Sequence, residues 1–348
     1  MIQRRTLLQS GAAMALGAPA LTGFAQQSVT LKFHTFMAPQ SNVYINMHKA
    51  WMDKVEKDSG GRIKFEGYPA MQLGGTPVQL YDQARDGVVD IVWTLPGNTP
   101  GRFPRIEVFE LPFMMNNAEA TSKAYWEYVQ TLAVDEFKET QVLALQVHGP
   151  GMFHMRNKLV KTADDLRGSK VRGPTRQITK MLGYLGATPV GMPLPQIPDS
   201  LSKGVIDGCV IPWEVVPSVK VHELTKFHSE FDPAGGALYT TTFVMAMNKA
   251  KYNSLPPDLK AVIDKNSGIE TSGWLGKTQQ AGDAAGRKSA VDQGNTIHKI
   301  SAADAQEFKR KARLVEVEWM QEMDKRGHDG KKLFEGAKAL IEKHGKKA

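Results

Sequence analysis

A strand, a helix and a second strand follow one another between residues 166 and 213, and this order constrains the fold more than any other feature of the chain. The first strand covers residues 170–172 and the second covers residues 205–211. The helix between them has apolar residues at helical spacing and ends at Gly186, a residue suited to a left-handed cap. Because such a unit pairs its strands in parallel through a right-handed crossover, the stretch predicts an α/β fold.

The same alternation of strand and helix occupies the N-terminal part of the chain. Strands are predicted at residues 29–36, 62–69 and 89–93, with a helix between each pair. A chain of 348 residues is longer than one typical core, so we predict two α/β domains. Gly and Pro residues at positions 149–151 and 233–236 interrupt β patterns and predict two crossings between the domains.

These crossings predict which segments belong to each domain. The predicted segments are residues 26–148 with 237–275 in the first domain, and residues 149–236 with 276–348 in the second. A helical pattern over residues 256–293, weakest at Gly273 and Gly276, predicts a long helix that spans both lobes. Two lobes joined by several crossings are typical of a hinged protein that closes around a ligand.

The N-terminus has the composition of an export signal. Arg4 and Arg5 precede an apolar run of small residues, and polar sequence begins after Ala25. We predict a signal peptide of residues 1–25, with Ala20 as the alternative cleavage position, and a periplasmic location. The arginine pair resembles a twin-arginine signal, although a Sec signal also needs only basic residues there. No later apolar run is long enough for a membrane span, so no membrane insertion is expected.

Charge and cysteine content exclude a nucleic-acid-binding function and an intrachain disulfide bond. The net charge of +8 comes from 44 Lys and Arg against 36 Asp and Glu. These basic residues are dispersed among acids without the aromatic platforms of a nucleic-acid binder, so nucleic-acid binding is excluded. The single cysteine, Cys209, lies in an apolar strand pattern, which predicts a buried side chain and no intrachain disulfide.

The chain contains no motif of high specificity for catalysis or for metal binding. GxSxG, HExxH, GxxxxGK[ST] and CxxC are all missing from the sequence. His148 and His154 lie near the predicted cleft, but no third metal ligand stands at a suitable spacing. Glu214 could hold a cation, although an acid is also favourable at the start of a helix. We therefore expect no catalytic residue, no metal and no cofactor.

Arg172 is the strongest candidate for a binding residue. It stands at the end of the first strand of the opening unit, and ligands of open α/β sheets gather at such strand ends. The planar guanidinium matches a carboxylate in two parallel hydrogen bonds. The alternative role for Arg172 is a surface or interdomain salt bridge. Several aromatic and methionine residues also stand at strand ends, which favours a pocket wall over their default role in the core.

Several short motifs resemble one known family in order along the chain. LRGSKVRGP, LGATPVGMP and LSKGVIDGCVIPW closely resemble the signature of the solute receptors of tripartite ATP-independent periplasmic (TRAP) transporters, the dicarboxylate-receptor-like family. GGRIKFEGYPAMQLGG, DGVVDIVW, VFELPFM and MNKAKYNSLP extend the match over nearly the whole mature chain. The resemblance implies a two-lobed periplasmic binding protein without enzymatic activity. Such a receptor encloses a small organic acid and delivers it to a permease driven by an ion gradient, with Arg172 as the carboxylate-binding residue.

The resemblance also bears on the kind of acid. Phe36, Leu95, Met152 and Ile211 stand where sugar-acid receptors of the family have polar or charged residues. Sugar hydroxyls buried there without partners would cost roughly 1 to 3 kcal/mol each. We therefore predict a monocarboxylate, a 2-oxo or 2-hydroxy acid with an apolar or aromatic tail. The predicted ligand-binding residues are Phe36, Gln72, Trp93, Thr94, Met152, Phe153, Arg172, Pro174, Met192, Pro212, Trp213 and Thr240.

Two other functions stay open at this point. An exported lyase or hydrolase acting on a carboxylate would need an acid-base pair, and His148 or His154 with Glu214 is the candidate set. A binding protein of an ABC transporter would use the same physics with a different membrane partner. The receptor itself is expected to be a monomer.

Overall fold

The computed structural model describes residues 28–346, which form two β-sheets covered by helices. The predicted signal peptide, with both of its cleavage positions, lies outside the described residues. The strands are β1 (Val29–Thr35), β2 (Ile63–Tyr68), β3 (Ile91–Thr94), β4 (Thr140–Val147), β5 (Gly151–Met155), β6 (Lys170–Gly173), β7 (Thr188–Gly191), β8 (Gly208–Pro212), β9 (Phe227–Phe231), β10 (Thr242–Asn248) and β11 (Thr296–Ile300).

The first sheet has the strand order β2-β1-β3-β10-β4. β1 pairs in parallel with β2 and β3, as the alternation of strands and helices predicts. β10 is antiparallel to both β3 and β4. The chain therefore returns to this sheet after building most of the other one.

The second sheet has the order β11-β9-β5-β8-β6-β7. β6 pairs in parallel with β7 and β8, whereas β5 is antiparallel to β8 and β9. The unit between residues 166 and 213 thus contains one strand more than predicted, since β7 follows the helix and precedes β8. Thr188-Pro189-Val190-Gly191 does not resemble a strand pattern, but β7 is an edge strand, where proline is tolerated.

Twelve α-helices cover the sheets in the described residues. They are α1 (Ala50–Asp58), α2 (Leu80–Arg85), α3 (Ala118–Leu132), α4 (Arg176–Tyr184), α5 (Ile197–Ser202), α6 (Val221–Leu224), α7 (Lys249–Ser254), α8 (Pro257–Lys265), α9 (Ile269–Ala281), α10 (Asp283–Asp292), α11 (Ala302–Lys325) and α12 (Gly330–Gly345). Short 3₁₀ turns join several of them. Within residues 28–346, no helix combines the length and apolar character needed to cross a bilayer.

The long helical region runs along both sheets, and it is divided into α8, α9 and α10. α9 packs on α3 and β4 of the first sheet, and α10 packs on α6 beside the second. Gly273 and Gly276 are inside α9 and do not interrupt it. A Cβ at Gly276 would meet the backbone of Ala118 at 2.5 Å, so this glycine lets α9 approach α3 closely.

The C-terminal helices connect the two halves of the molecule. α11 packs on α4, and α12 packs on α3. Lys343 and His344 of α12 both bond to Glu127 of α3, at 2.6 and 2.7 Å. The division into two domains stays a prediction. Because α12 packs on α3, we propose that residues 330–345 belong to the first domain and not to the second, where the sequence placed them.

Candidate ligand-binding site

A cavity lies where the strand ends of the two sheets face each other. Phe36 and Trp93 line it from the first sheet, and Arg172 and Ile211 line it from the second. Its volume is about 50 Å³, measured as the space open to the centre of a water molecule. All four residues stand in or just after the carboxyl-terminal part of a strand, which is where open α/β sheets bind ligands. The cavity is small enough to favour a compact ligand.

Arg172 is a buried cation that has no acidic partner in the part of the chain that the structure describes. It is 2% exposed. Its Nε donates to the backbone oxygen of Met192 at 2.9 Å, and its Nη1 donates to that of Val210 at 3.3 Å. Burial lowers the pKa of the guanidinium, as expected for a cation that leaves water without a counter-ion. The hydrogen bonds to carbonyls orient the side chain and leave Nη2 and the second N–H of Nη1 available for an anion.

Tyr239 and His148 line the cavity with Arg172. The Tyr239 hydroxyl is buried and has no hydrogen-bond partner among residues 28–346. Burial raises the pKa of Tyr239, with an opposing effect from Arg172, so the hydroxyl keeps its proton and can donate. Burial lowers the pKa of His148 to about 4, so the imidazole is neutral near pH 7. Arg172 and Tyr239 can therefore both donate to a carboxylate, and the cavity has one cation.

Aromatic rings form another wall of the cavity. Trp93 stacks on Phe243, with ring centroids 4.3 Å apart and planes 12° apart. Phe36 packs against Trp93 at 5.5 Å between centroids. Leu95, Leu194 and Ile211 add aliphatic surface. These side chains cannot pair with ligand hydroxyls, but they can cover an apolar ring.

A row of hydrogen bonds connects this aromatic wall to an acid on the other sheet. The indole Nε1 of Trp93 donates to Gln146 at 3.1 Å, and Gln146 donates to Gln279 at 3.0 Å. Gln279 of α9 donates to Oε1 of Glu214 at 2.8 Å. Glu214 lies in a 3₁₀ turn, Trp213–Val215, directly after β8. The backbone N–H of Glu214 donates to Asp283 of α10 at 2.9 Å.

Buried carboxyl groups whose pKa values lie near neutral pH make the stability of the folded protein depend on pH. Burial raises the pKa of Glu214 to about 8, and that of Glu110 and Asp283 to about 7. Each group keeps a proton in the folded protein at a pH where the unfolded chain has lost it, so stability falls as pH rises toward these values. Buried histidines have the opposite effect, but only below their usual pKa of 6.5.

We therefore expect the melting temperature of the ligand-free protein to fall between about pH 6.5 and pH 8. The free energy of unfolding should fall by on the order of 1 kcal/mol per pH unit over this interval. Differential scanning calorimetry across this interval measures it. Glu214→Gln, which cannot ionise, should flatten part of the slope. A melting temperature that rises over the same interval would contradict the proposed protonation of these acids.

The structure brings five of the twelve predicted site residues into the cavity wall. These are Phe36, Trp93, Arg172, Pro174 and Pro212. Leu95 and Ile211, which the family pattern marks as apolar pocket positions, also line it. The remaining seven predicted residues do not line the cavity, and the reasons differ.

Three of these seven are large side chains that do not reach the cavity. Phe153 packs in the core with Phe231 and Phe308, because successive residues of β5 face opposite sides of the sheet. Met152 has the other orientation but lies along a neighbouring groove. Trp213 donates its indole N–H to Glu230 at 3.0 Å, and Glu230 lines a neighbouring groove instead of the cavity.

The other four are held by local structure. Thr240 donates to the backbone oxygen of His148 at 2.7 Å, so it positions a cavity residue instead of lining the cavity. Thr94 is buried near the backbone oxygen of Pro77. Gln72 is exposed. Met192 contributes its backbone oxygen to Arg172, while its side chain lies along another groove.

Sequence reasoning missed Tyr239, Phe243 and Gln279, whereas Glu214, which it considered as a cation holder and as an acid of the enzyme alternative, does line the cavity. Tyr239 and Phe243 stand within the β pattern of residues 238–247, where the observed strand begins only at Thr242. No periodicity indicates which side chain of the preceding loop turns inward. Gln279 lies on α9 and reaches the cavity only through packing of that helix, which leaves no local signal in the sequence.

Of the acid-base candidates of the enzyme alternative, His148 and Glu214 both line the cavity, whereas His154 does not. The Nδ1 atoms of His154 and His228 lie 2.7 Å apart, and Nε2 of His154 lies 3.1 Å from the oxygen of Ile211, so both its nitrogens are occupied. Burial lowers the pKa of His154 well below its usual value. Among residues 28–346, no three His, Cys, Asp or Glu side chains come together as metal ligands. Cys209 is buried, as predicted, and burial raises its pKa to about 12.

Comparison with known proteins decides the family. The model for bacterial extracellular solute-binding protein family 7 matches residues 33–322. The chain belongs to this family. Family 7 includes the receptors of TRAP transporters, so the resemblance and the two-lobed α/β fold expected from the sequence are confirmed. Family 7 proteins are solute receptors that work with membrane permeases and bind small organic acids. Their extracytoplasmic role supports the predicted periplasmic location.

Three solved structures of family 7 receptors are similar over most of the chain. A TRAP solute-binding protein from Rhodoferax ferrireducens T118, in complex with copurified benzoate, is 74% identical, with a TM-score of 0.91 and coverage of 91% of this chain and 98% of that one. A marine metagenome receptor in complex with 3-hydroxybenzoate is 51% identical, with a TM-score of 0.90 and coverage of 92% and 100%. A Bordetella bronchiseptica receptor with bound mandelate is 26% identical, with a TM-score of 0.82 and coverage of 90% and 99%.

Proposed function

We propose that this family 7 receptor binds an aromatic monocarboxylate with a single ring and delivers it to a TRAP permease. The observation that carries the proposal is Arg172, a buried cation without an acidic partner in residues 28–346, in a cavity whose wall is mainly aromatic and aliphatic. A carboxylate would supply the missing charge and form two parallel bonds with the guanidinium. Tyr239 would donate a further hydrogen bond, and the ring of the ligand would lie against Trp93 and Phe36.

The same cavity disfavours other acids of the family. A C4-dicarboxylate would bring a second negative charge into a site whose described residues offer one cation. A sugar acid would bury several hydroxyls against Trp93, Leu95 and Ile211 without partners. An aromatic ring loses nothing in this environment, because it has no hydrogen bonds to give up.

The ligands of the similar receptors support an aromatic acid. Benzoate, 3-hydroxybenzoate and mandelate each have one carboxylate and one ring. Benzoate has neither the 2-oxo nor the 2-hydroxy group that we predicted from the sequence, and mandelate has a 2-hydroxy group. The proposal therefore requires the ring and the carboxylate, and it does not require an oxygen at the second carbon.

Binding would be coupled to closure of the cleft. Arg172 reaches the ligand from the second sheet, whereas Trp93 and Phe36 reach it from the first. Only the closed arrangement makes both sets of contacts, so the ligand would select it. The proposed receptor is a monomer, and residues 1–25 would direct its export through a cleaved signal.

A ligand panel tests the proposal. At concentrations about 100 times Kd, a ligand stabilises the folded protein by about 2.7 kcal/mol, so benzoate and 3-hydroxybenzoate should raise the melting temperature clearly. Benzamide, which has the ring without the charge, should not, and neither should succinate or glucuronate. Stabilisation by succinate or glucuronate without stabilisation by any aromatic acid would refute the proposal. Recovery of unchanged benzoate after incubation with the protein would separate a receptor from an enzyme.

A further inference from the structure

The cavity has a second polar region, separate from the one around Arg172. Glu214 and Gln279 both line it, and Glu214 is only 4% exposed. We infer that Glu214 determines specificity by taking a hydroxyl group on the ring of the ligand. The inference rests on the proposed function. It adds the prediction that aromatic acids with a ring hydroxyl group bind more tightly than those without one.

The row of hydrogen bonds behind the cavity assigns a role to each oxygen of Glu214. The indole N–H of Trp93 can only donate, so Gln146 must present its oxygen to Trp93 and its amide N–H to Gln279. Gln279 then presents its own N–H to Oε1 of Glu214, at 2.8 Å. Oε1 is therefore always an acceptor.

Oε2 of Glu214 is left without a partner. It is buried, and no atom of residues 28–346 forms a hydrogen bond with it. A buried polar atom without a partner is unfavourable, and a native structure usually provides one through a ligand or water. Because Glu214 lines the cavity, a bound ligand is in position to supply that partner.

A hydroxyl group is the partner that suits Oε2 in either charge state. When Glu214 is protonated, Oε1 is occupied as an acceptor, so the proton is on Oε2 and can be donated to the hydroxyl oxygen. When Glu214 is ionised, Oε2 accepts the hydroxyl proton. A methyl group or a ring hydrogen can do neither, and a second carboxylate would be repelled by the ionised form. Glu214 therefore distinguishes hydroxylated rings from rings of the same shape.

Isothermal titration calorimetry with benzoate, 3-hydroxybenzoate, 4-hydroxybenzoate and 3-methylbenzoate tests the inference. In the wild-type protein, at least one hydroxybenzoate should bind about tenfold more tightly than benzoate, because its hydroxyl group gives a partner to a buried polar atom that otherwise has none. 3-Methylbenzoate should show no such gain, because it fills similar space without a hydrogen bond. This comparison needs no variant, so it remains decisive if a variant does not fold.

Glu214→Met should reduce the affinity ratio between the preferred hydroxybenzoate and benzoate to near one. Glu214→Gln should keep part of the ratio, because its amide N–H can still donate to the hydroxyl. The matched control is Glu107→Gln, which changes another buried acid, one that pairs with Arg176 outside the cavity. Its ratio should equal that of the wild type.

The outcomes separate this inference from the proposed function. If benzoate binds and the hydroxybenzoates bind no more tightly, the role of Glu214 is wrong and the receptor function stands. An unchanged ratio in a folded Glu214→Met variant leads to the same conclusion. If none of the four acids binds, both proposals fail.

Discussion

Replacing Arg172 with methionine is expected to abolish most of the affinity for aromatic acids. Removing one partner of a buried, hydrogen-bonded charge pair costs roughly 2 to 5 kcal/mol, which is about 30-fold or more in Kd. The carboxylate of the ligand would enter a cavity without a cation among the described residues and would find only the hydroxyl of Tyr239. Isothermal titration calorimetry with benzoate measures the loss.

The same substitution should leave the ligand-free protein as stable as the wild type, or slightly more stable. Arg172 is desolvated without an acidic partner in residues 28–346, so methionine removes an unfavourable buried charge. Arg105→Met is the matched control, because Arg105 is also buried but is paired with Glu136 and Asp135. It should lower the melting temperature and leave benzoate affinity nearly unchanged. If Arg172→Met instead lowered the melting temperature of the ligand-free protein and left benzoate affinity unchanged, Arg172 would be structural.

Gly286→Ala is expected to lower the stability of the folded protein strongly, although it adds a single methyl group. Gly286 lies inside α10, and a Cβ there would collide with the backbone oxygen of Trp213. Backbone atoms cannot move aside as a flexible side chain can, so α10 would be displaced from the turn that holds Glu214. Overpacking of this kind costs about 1 to 3 kcal/mol or more. Affinity for hydroxybenzoates should fall as well.

Gly183→Ala is the matched control for this prediction. Gly183 is also inside a helix, α4, but it is exposed, and the nearest atom to an added Cβ is in Pro189 at 3.8 Å. Alanine should stabilise this helix by up to about 1 kcal/mol, since glycine is the poorer helix former. Thermal melts of both variants measure the difference. Similar melting temperatures for the two would mean that α10 can shift without cost.

The fold could be predicted from sequence where periodicity and chain order are strong. The alternation of strands and helices before residue 94 predicts the parallel pairing of β1 with β2 and β3, which the structure confirms. β7 could not be predicted, because its Pro and Gly residues are unusual in strands and are tolerated only at an edge. The single long helix was likewise an oversimplification, since the chain leaves the helical conformation between α8 and α9.

The candidate site could be predicted in part for similar reasons. Arg172 and Pro174 are at the end of a strand that the sequence shows clearly, so their location follows from the fold. Trp213 stands between the cavity-lining residues Pro212 and Glu214, and Phe153 faces the core side of its strand, because strand or turn geometry gives adjacent side chains different directions. Tyr239 reaches the cavity from the loop before β10, and Gln279 reaches it from α9, which packs on the first sheet. Their positions depend on tertiary contacts that no local pattern contains.

The stacking of Trp93 on Phe243 has a consequence for optical measurements. The chain has six tryptophans, and within the described residues Trp93 is the one that lines the cavity. An aromatic acid bound against its indole would change the emission of that residue directly, while the other five would give a constant background. The protein thus contains its own fluorophore at the binding site, and titrations can be followed without a label. Trp93→Phe would keep an aromatic wall and remove the signal.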